Sequence, residues 1–568
     1  MRGIFMPDFE RCREQILSEE YQDFILGSYR SFWQQFLEGE ECRIPLEYSF
    51  ELVYLNRGQT GERTLYRFPY FSVPRCYTLQ DMAVLEQTGI ARVRAFPGLE
   101  LSGENVILGF VDTGIRYEDP VFRNLDGSTR ILSIWDQTVQ EGTPPEGLPY
   151  GTEYRREQID AALAGENPGE MVPSRDENGH GTFVASVACG GANVENQFLG
   201  AAPEAEIAVV KLKEAKQYLR DFYYINPDAV CYQENDIMAA LYYLHHLALR
   251  EQKPLVLCMA IGTSMGGHSG ASPLSAYMEV LGNITNIVLA AGTGNEADKR
   301  HHYLGEAEEG TVEEMEIRVG DHIGGFGLEI WAEIPNIFTV SLISPTGQRS
   351  GTIPIRQWSG VYDFVFEQTR VYISYRILVE GTSSNLIFLQ FDRPLAGIWR
   401  VRVEPLQLEN GRFHAWLPME EFLTGEVFFL RSNPDYTITG PGNVAAAATA
   451  ACYNGADNSI AVSSGRGYTR TERIKPDFAA PGIQVTGVNL RGQFTARSGS
   501  SIAVAVTAGC QALLMEWMQR LGEEPDSVQI KNLLILGAVR TDEGAYPNRE
   551  WGYGRLNLYQ TFEAVRRF

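Results

Sequence analysis

The sequence predicts an α/β protein, in which a parallel-sheet domain is led by a small α+β unit and interrupted by a β-sandwich. Three observations carry this reading. Continuous apolar strands alternate with helical stretches between about Asp81 and Glu308, and the same texture returns after Asp435. Strands that are apolar at every position are covered on both faces, as in a parallel sheet flanked by helices. Between about Glu309 and Asp435, short strand-like runs recur without a convincing helix, the texture of a sandwich. Finally, 568 residues exceed what one hydrophobic core usually supports.

The elements follow in order. In residues 1–80 a helical pattern over Cys12–Phe36 precedes short alternating strands such as Tyr48–Tyr54, which together make the α+β unit. In residues 81–308 the strands are Val106–Val111, Ile207–Val210, Leu255–Ile261 and Ile287–Ala291, with a helix over Asp236–Ala248. In residues 309–435 they are Met315–Val319, Gly327–Glu333, Phe338–Ile343, Val371–Leu378, Asn385–Phe391 and Trp399–Val403. Turn residues such as Ser344-Pro345-Thr346-Gly347 separate them. Residues 436–568 regain the α/β texture, with a helix starting near Ser501, so the sandwich is an insertion into one domain.

Bulk properties narrow the function. The apolar and charged fractions, 44% and 21%, are ordinary for a globular protein. A net charge of −24 argues against nucleic acid and against an anionic membrane surface as partners, since both require a basic face. No stretch reaches the length of a membrane helix, and the N-terminus has no signal-peptide core, so a cytoplasmic location is expected. The eight cysteines form no C-x-x-C pair. They read as small buried hydrophobes in a reduced compartment, although an even count also permits disulfides.

Three segments carry chemistry. In Phe110-Val111-Asp112-Thr113-Gly114 an apolar strand runs into an aspartate at the end of a sheet strand, where sites assemble. By itself this is also an ordinary strand-end turn. In Asn178-Gly179-His180-Gly181-Thr182 a histidine between glycines opens a helix. In Ser498-Gly499-Ser500-Ser501-Ile502-Ala503 small residues lead a serine into an apolar helix, where an N-cap is the commoner use of serine. Together they supply a nucleophile, its base and the carboxylate that orients the base, in the chain order Asp, His, Ser. A fourth segment, Ala290-Ala291-Gly292-Thr293-Gly294-Asn295, lies between His180 and Ser501. Its Asn295 amide is placed to donate to a tetrahedral oxyanion beside the Ser501 N–H.

The quartet VDTGI, NGHGTFVAS, AAGTGNEA and SGSSIAVAVTAG resembles the subtilisin-like serine proteases, the subtilases. Ile131–Gln137, Val210–Lys213, Gly465–Thr469 and Ile474–Asp477 add a likeness to the clostridial subtilases that include the Csp spore-germination proteases. The resemblance implies a subtilisin-like catalytic domain with an N-terminal prodomain and an inserted jelly roll. It implies a triad of Asp112, His180 and Ser501, an oxyanion donor at Asn295, and a substrate-pairing strand at Ala260, Ile261 and Gly262. It also implies protein or peptide substrates, a prodomain held in the active-site groove, and self-processing between Gln80 and Asp81. Cutting there puts Tyr77 in the fourth position before the bond, where subtilases often take an aromatic residue. The usual proline four residues after the serine is Ala505, and the usual threonine before it is Ser500. Thr263-Ser264-Met265 are extra residues after the substrate strand. No subtilase calcium site is matched, so neither metal nor cofactor is expected, and His301-His302 read as loop residues. Two other readings are a Csp-like pseudoprotease acting as a binding or signalling protein, which the complete triad disfavours, and a glycan-binding sandwich. The aromatics of the latter, Trp331, Trp358, Trp399 and Trp416, read more readily as core.

Overall fold

The computed structural model describes residues 9–566 apart from 28–32, 34–36, 38–41, 47–49, 61–64, 80–87, 96–98, 356–359 and 542–543. The N-terminal unit contains helix α1 (Phe9–Leu17), strands β1 (Tyr21–Leu26), β2 (Cys42–Pro45) and β3 (Glu51–Asn56), and the detached strand β4 (Cys76–Leu79). The first three strands form an antiparallel sheet in the order β1-β3-β2. The helix expected over Cys12–Phe36 therefore stops at Leu17. Tyr21–Leu26 is drawn into pairing with β3 because both of its faces are covered: Ile25 faces one core, and Phe24 and Leu26 another. The chain also joins Cys12 to Cys42 in a disulfide, which corrects the expectation of eight reduced cysteines. The packing of α1 against β2 sets their Cα atoms 4.8 Å apart, within bridging range. The other six cysteines are buried and lie outside any disulfide.

The central sheet is the parallel one anticipated. Its strands from the first half of the chain are β5 (Ile107–Asp112), β6 (Ile131–Asp136), β7 (Thr152–Arg155), β8 (Glu206–Lys211), β10 (Leu255–Met259) and β12 (Ile287–Gly292). Between them come β9 (Tyr232–Gln233) and β11 (Ile261–Gly262), which lie outside that sheet. The helices that matter here are α2 (His180–Cys189), α3 (Glu234–Glu251) and α4 (Pro273–Leu281). Strand side chains alternate between two cores: Leu108 and Phe110 face α2, whereas Ile107 and Val111 face α3.

The insertion consists of two antiparallel sheets around one core that includes Phe326, Leu389, Trp399 and Phe413. One sheet has the order β13 (His302–Glu306), β22 (Arg412–Trp416), β15 (Gly325–Glu333), β20 (Ser384–Asp392), β19 (Thr369–Arg376), β18 (Gly360–Phe364). The other has the order β17 (Arg349–Ile353), β16 (Ile337–Ile343), β21 (Gly397–Gln407), β14 (Glu313–Val319), β23 (Val427–Phe429). The first strand begins at His302, ahead of Glu309, because Tyr303-Leu304 pair with His414-Ala415. His302 is thus the first residue of a strand and not a loop residue, whereas His301 stays outside the strand; both are buried at the root of the sandwich. Trp331, Trp399 and Trp416 are buried, which leaves none of the three to stack on a glycan; Trp358 lies outside the described residues.

The chain then returns to the central sheet through β24 (Ala448–Asn454), β25 (Ser459–Ile460) and β26 (Phe478–Pro481), followed by the hairpin β27 (Val485–Val488) and β28 (Phe494–Arg497). Helix α5 (Ser500–Arg520) closes the core. It is long and apolar enough to span a membrane, but it is buried inside the molecule against β10, β12 and β24.

Candidate active site

Asp112 is the last residue of β5, at the carboxyl edge of the sheet. β5 lies between β8 and β10, where the strand order reverses, and such switch points open a crevice above the sheet. His180 opens α2 and Ser501 is the second residue of α5, and these two helices pack on each other. The topology thus delivers three distant residues to one edge. His180 Nδ1 lies 2.7 Å and 2.9 Å from the two Asp112 carboxylate oxygens, and His180 Nε2 lies 2.9 Å from Ser501 Oγ. With Nδ1–H donating to Asp112, Nε2 is left to accept from the serine hydroxyl. All three side chains are buried. Ser501 Oγ is also 3.3 Å from the Ala260 carbonyl.

The glycines flanking His180 are required. Gly179 sits at φ +87°, and a Cβ on Gly181 would come within 2.2 Å of the Gly114 carbonyl oxygen. Asn295 accepts a hydrogen bond from Ser500 N at 3.3 Å through Oδ1, which brings its amide next to the residue before Ser501. As the second residue of α5, Ser501 has a backbone N–H at the end of the helix where such donors lack intrahelical partners.

Asp176 escaped the sequence reading. Its buried carboxylate accepts five hydrogen bonds: from Thr113 Oγ1, Asn178 N, Gly179 N, Thr182 N and Thr182 Oγ1. Thr113 Oγ1 in turn accepts from Gly181 N. The carboxylate therefore ties the Asp112 strand end to the start of the His180 helix. The available signal was an aspartate four residues ahead of a helix-opening histidine, at capping distance.

The sequence-read strand Ala260-Ile261-Gly262 begins beside Ser501, and β4 of the N-terminal unit lies between β11 and β9. Thr78 pairs with Gly262 and Leu79 with Ile261; on the other side Tyr77 pairs with Tyr232 and Cys76 with Gln233. The extra residues after Gly262 run toward the sandwich: Thr263 exchanges backbone hydrogen bonds with Gly440, and Ser264 Oγ donates to the Leu417 carbonyl. Gln80 and Asp81 lie outside the described residues. Among the described residues no group of three or more His, Cys, Asp or Glu side chains could hold a metal ion.

The subtilase family profile matches residues 103–554. The chain belongs to the subtilase family. The structure of the Clostridium perfringens CspB protease is similar at 30% identity and TM-score 0.75, covering 85% of this chain and 98% of that one. The membrane-bound transcription factor site-1 protease of Mus musculus is 32% identical over 115 residues, or 19% of this subtilase and 11% of the relative. The subtilisin-like protease SBT2.2 of Arabidopsis thaliana is 32% identical over 131 residues, 20% and 15% of the two chains. This subtilase therefore spans only a small part of the curated relatives it matches.

Proposed function

We propose that this subtilase is a serine endopeptidase in which Ser501 is the nucleophile, His180 its general base and Asp112 the residue that orients His180. The observation that carries the reading is the continuous contact from Asp112 through His180 to Ser501 Oγ at 2.7 and 2.9 Å. In this mechanism Ser501 attacks the peptide carbonyl while His180 takes its proton and passes it to the leaving amine. Asp112 holds the imidazole in one tautomer and stabilises the imidazolium. The Asn295 amide and the Ser501 N–H receive the oxyanion. Water then hydrolyses the acyl-enzyme.

We further propose that residues 1–80 are a prodomain that the enzyme removes itself. Support comes from β4, which adds a strand between β9 and β11, the mode by which a groove takes an extended peptide. The likeness to the Csp group supports a role in spore germination, with a cortex hydrolase precursor as substrate, in the cytoplasm or in the spore. Intact-mass analysis tests the processing. The wild type is expected to begin at Asp81 and the Ser501→Ala protein to stay full length. Two full-length proteins, or two cleaved ones, would contradict self-processing.

A further inference from the structure

The residue just before β4 is held more tightly than any strand pairing requires. Glu234, the first residue of α3, has no exposed side-chain surface, and its partner Arg75 is almost as deeply buried. The two share three hydrogen bonds. Glu234 N donates to the Arg75 carbonyl at 2.8 Å, Arg75 N donates to Glu234 Oε2 at 3.2 Å, and Arg75 Nη1 donates to Glu234 Oε1 at 3.3 Å. The first two use the main chain and are open to any residue. The third requires a side-chain donor, and only a cationic one also neutralises the carboxylate. The same Oε1 also accepts from Leu274 N at 3.1 Å, so Glu234 is fixed between the N-termini of α3 and α4 whatever lies in the groove. Two positions on, Tyr77 is buried beside Tyr232, and its hydroxyl hydrogen-bonds the Ser272 side chain. Reading from Gly262 outward, the groove thus presents an aromatic slot and then a fixed carboxylate.

A carboxylate in such a place is costly to bury without a counter-charge. Arg75 supplies that charge from the N-terminal unit. Once β4 leaves, the charge must come from whatever peptide replaces it. We propose that Glu234 is a specificity-determining residue that selects substrates carrying arginine or lysine two positions ahead of an aromatic residue, the sixth and fourth residues before the cut. This deepens the protease reading above and rests on it, including cleavage after Gln80. Tyr70 and Phe71 also cover the Arg75 guanidinium, at 5.3 and 4.7 Å from their ring centroids. They belong to the N-terminal unit, so a substrate arriving from solution keeps the carboxylate but not the aromatic cover.

The test compares internally quenched peptides with the sequence of residues 73–86, carrying Arg, Lys or Gln in the place of Arg75. They are assayed with the self-processed full chain. A hydrogen-bonded ion pair of this kind predicts kcat/KM about 10- to 100-fold higher for the Arg peptide than for the Gln peptide. In Glu234→Gln that ratio is expected to fall toward one. An equal rate for the Arg and Gln peptides in the wild type would overturn the proposal without any variant. So would a preference that survives in Glu234→Gln, which would leave Glu234 only as an anchor of the N-terminal unit. If Ser501 is labelled by a fluorophosphonate while the ratio is one, only the specificity role fails. If no peptide is cut and Ser501 is unlabelled, the protease reading falls and takes the specificity role with it.

Discussion

At the scale of single residues, the site depends on groups that touch the reacting atoms and on one that does not. In the proposed mechanism Asn295→Ala removes a donor from the oxyanion position. It is expected to lower kcat about 10²–10³-fold with little change in KM, as steady-state kinetics would show. Asp176 acts at one remove, through Thr113 and the first turn of α2. Asp176→Asn keeps the shape but cannot accept all five hydrogen bonds. We expect kcat to fall roughly 10–100-fold, because small displacements of a base from its nucleophile are expensive. An unchanged kcat in a fully folded variant would show that Asp176 serves the fold alone. The residues of the central contact were legible from sequence because three weak motifs in one order constrain one another. Asp176 was not, since its meaning lies in partners from two segments that meet only after folding.

At the scale of elements, the joint between the sandwich and the catalytic sheet is a stack of buried rings. His268 lies 4.2 Å from Trp416 with the two rings nearly parallel, and His302 Nε2 is 3.0 Å from His414 Nδ1. Burial pushes His302 down to about 3, helped by the nearby charge of His268 if protonated, and burial followed by His302 holds His414 well below its ordinary value. The sign follows from linkage. A histidine depressed in the folded state contributes stability that is present above its unfolded value near 6.5 and is lost as pH falls toward 3. For His302 alone, unfolding stability is therefore expected to drop by roughly 2–3 kcal/mol between pH 6.5 and 4.5, which urea titrations would measure. His302→Gln should flatten that slope, and an equally steep one would assign the acid sensitivity elsewhere. Strand-rich texture revealed the sandwich in the sequence. The strand at His302–Glu306 escaped because its partner, Arg412–Trp416, lies more than a hundred residues away. The strand at Tyr21–Leu26 was read as helix because its period is blurred by burial on both faces.

At the scale of the whole molecule, the N-terminal unit is wedged between the other two bodies. One face of its sheet, with Ile25, Leu52 and Tyr54, joins the core under α3. The other, with Phe24, Leu26, Val53 and Leu55, shares a core with Trp331, Leu386 and Phe388 of the sandwich. At its centre Lys216 Nζ and Asp23 Oδ1 form a buried pair at 2.5 Å, and Asp23 Oδ2 also accepts from Gln233 and Asn235. Removing one partner strands the other charge, so Asp23→Ala is expected to weaken the docking of the unit by about 3–5 kcal/mol. Faster amide exchange in β1 and β3 would report it, and unchanged exchange would show that apolar contact alone holds the unit. None of this serves a protease unless Ser501 is activated by His180. The most direct measurement is therefore labelling of the self-processed protein with a fluorophosphonate, followed by peptide mapping. The account predicts one adduct, on Ser501, in the wild type, and neither processing nor an adduct in His180→Ala. Adducts on other residues, or none on correctly processed protein, would contradict it.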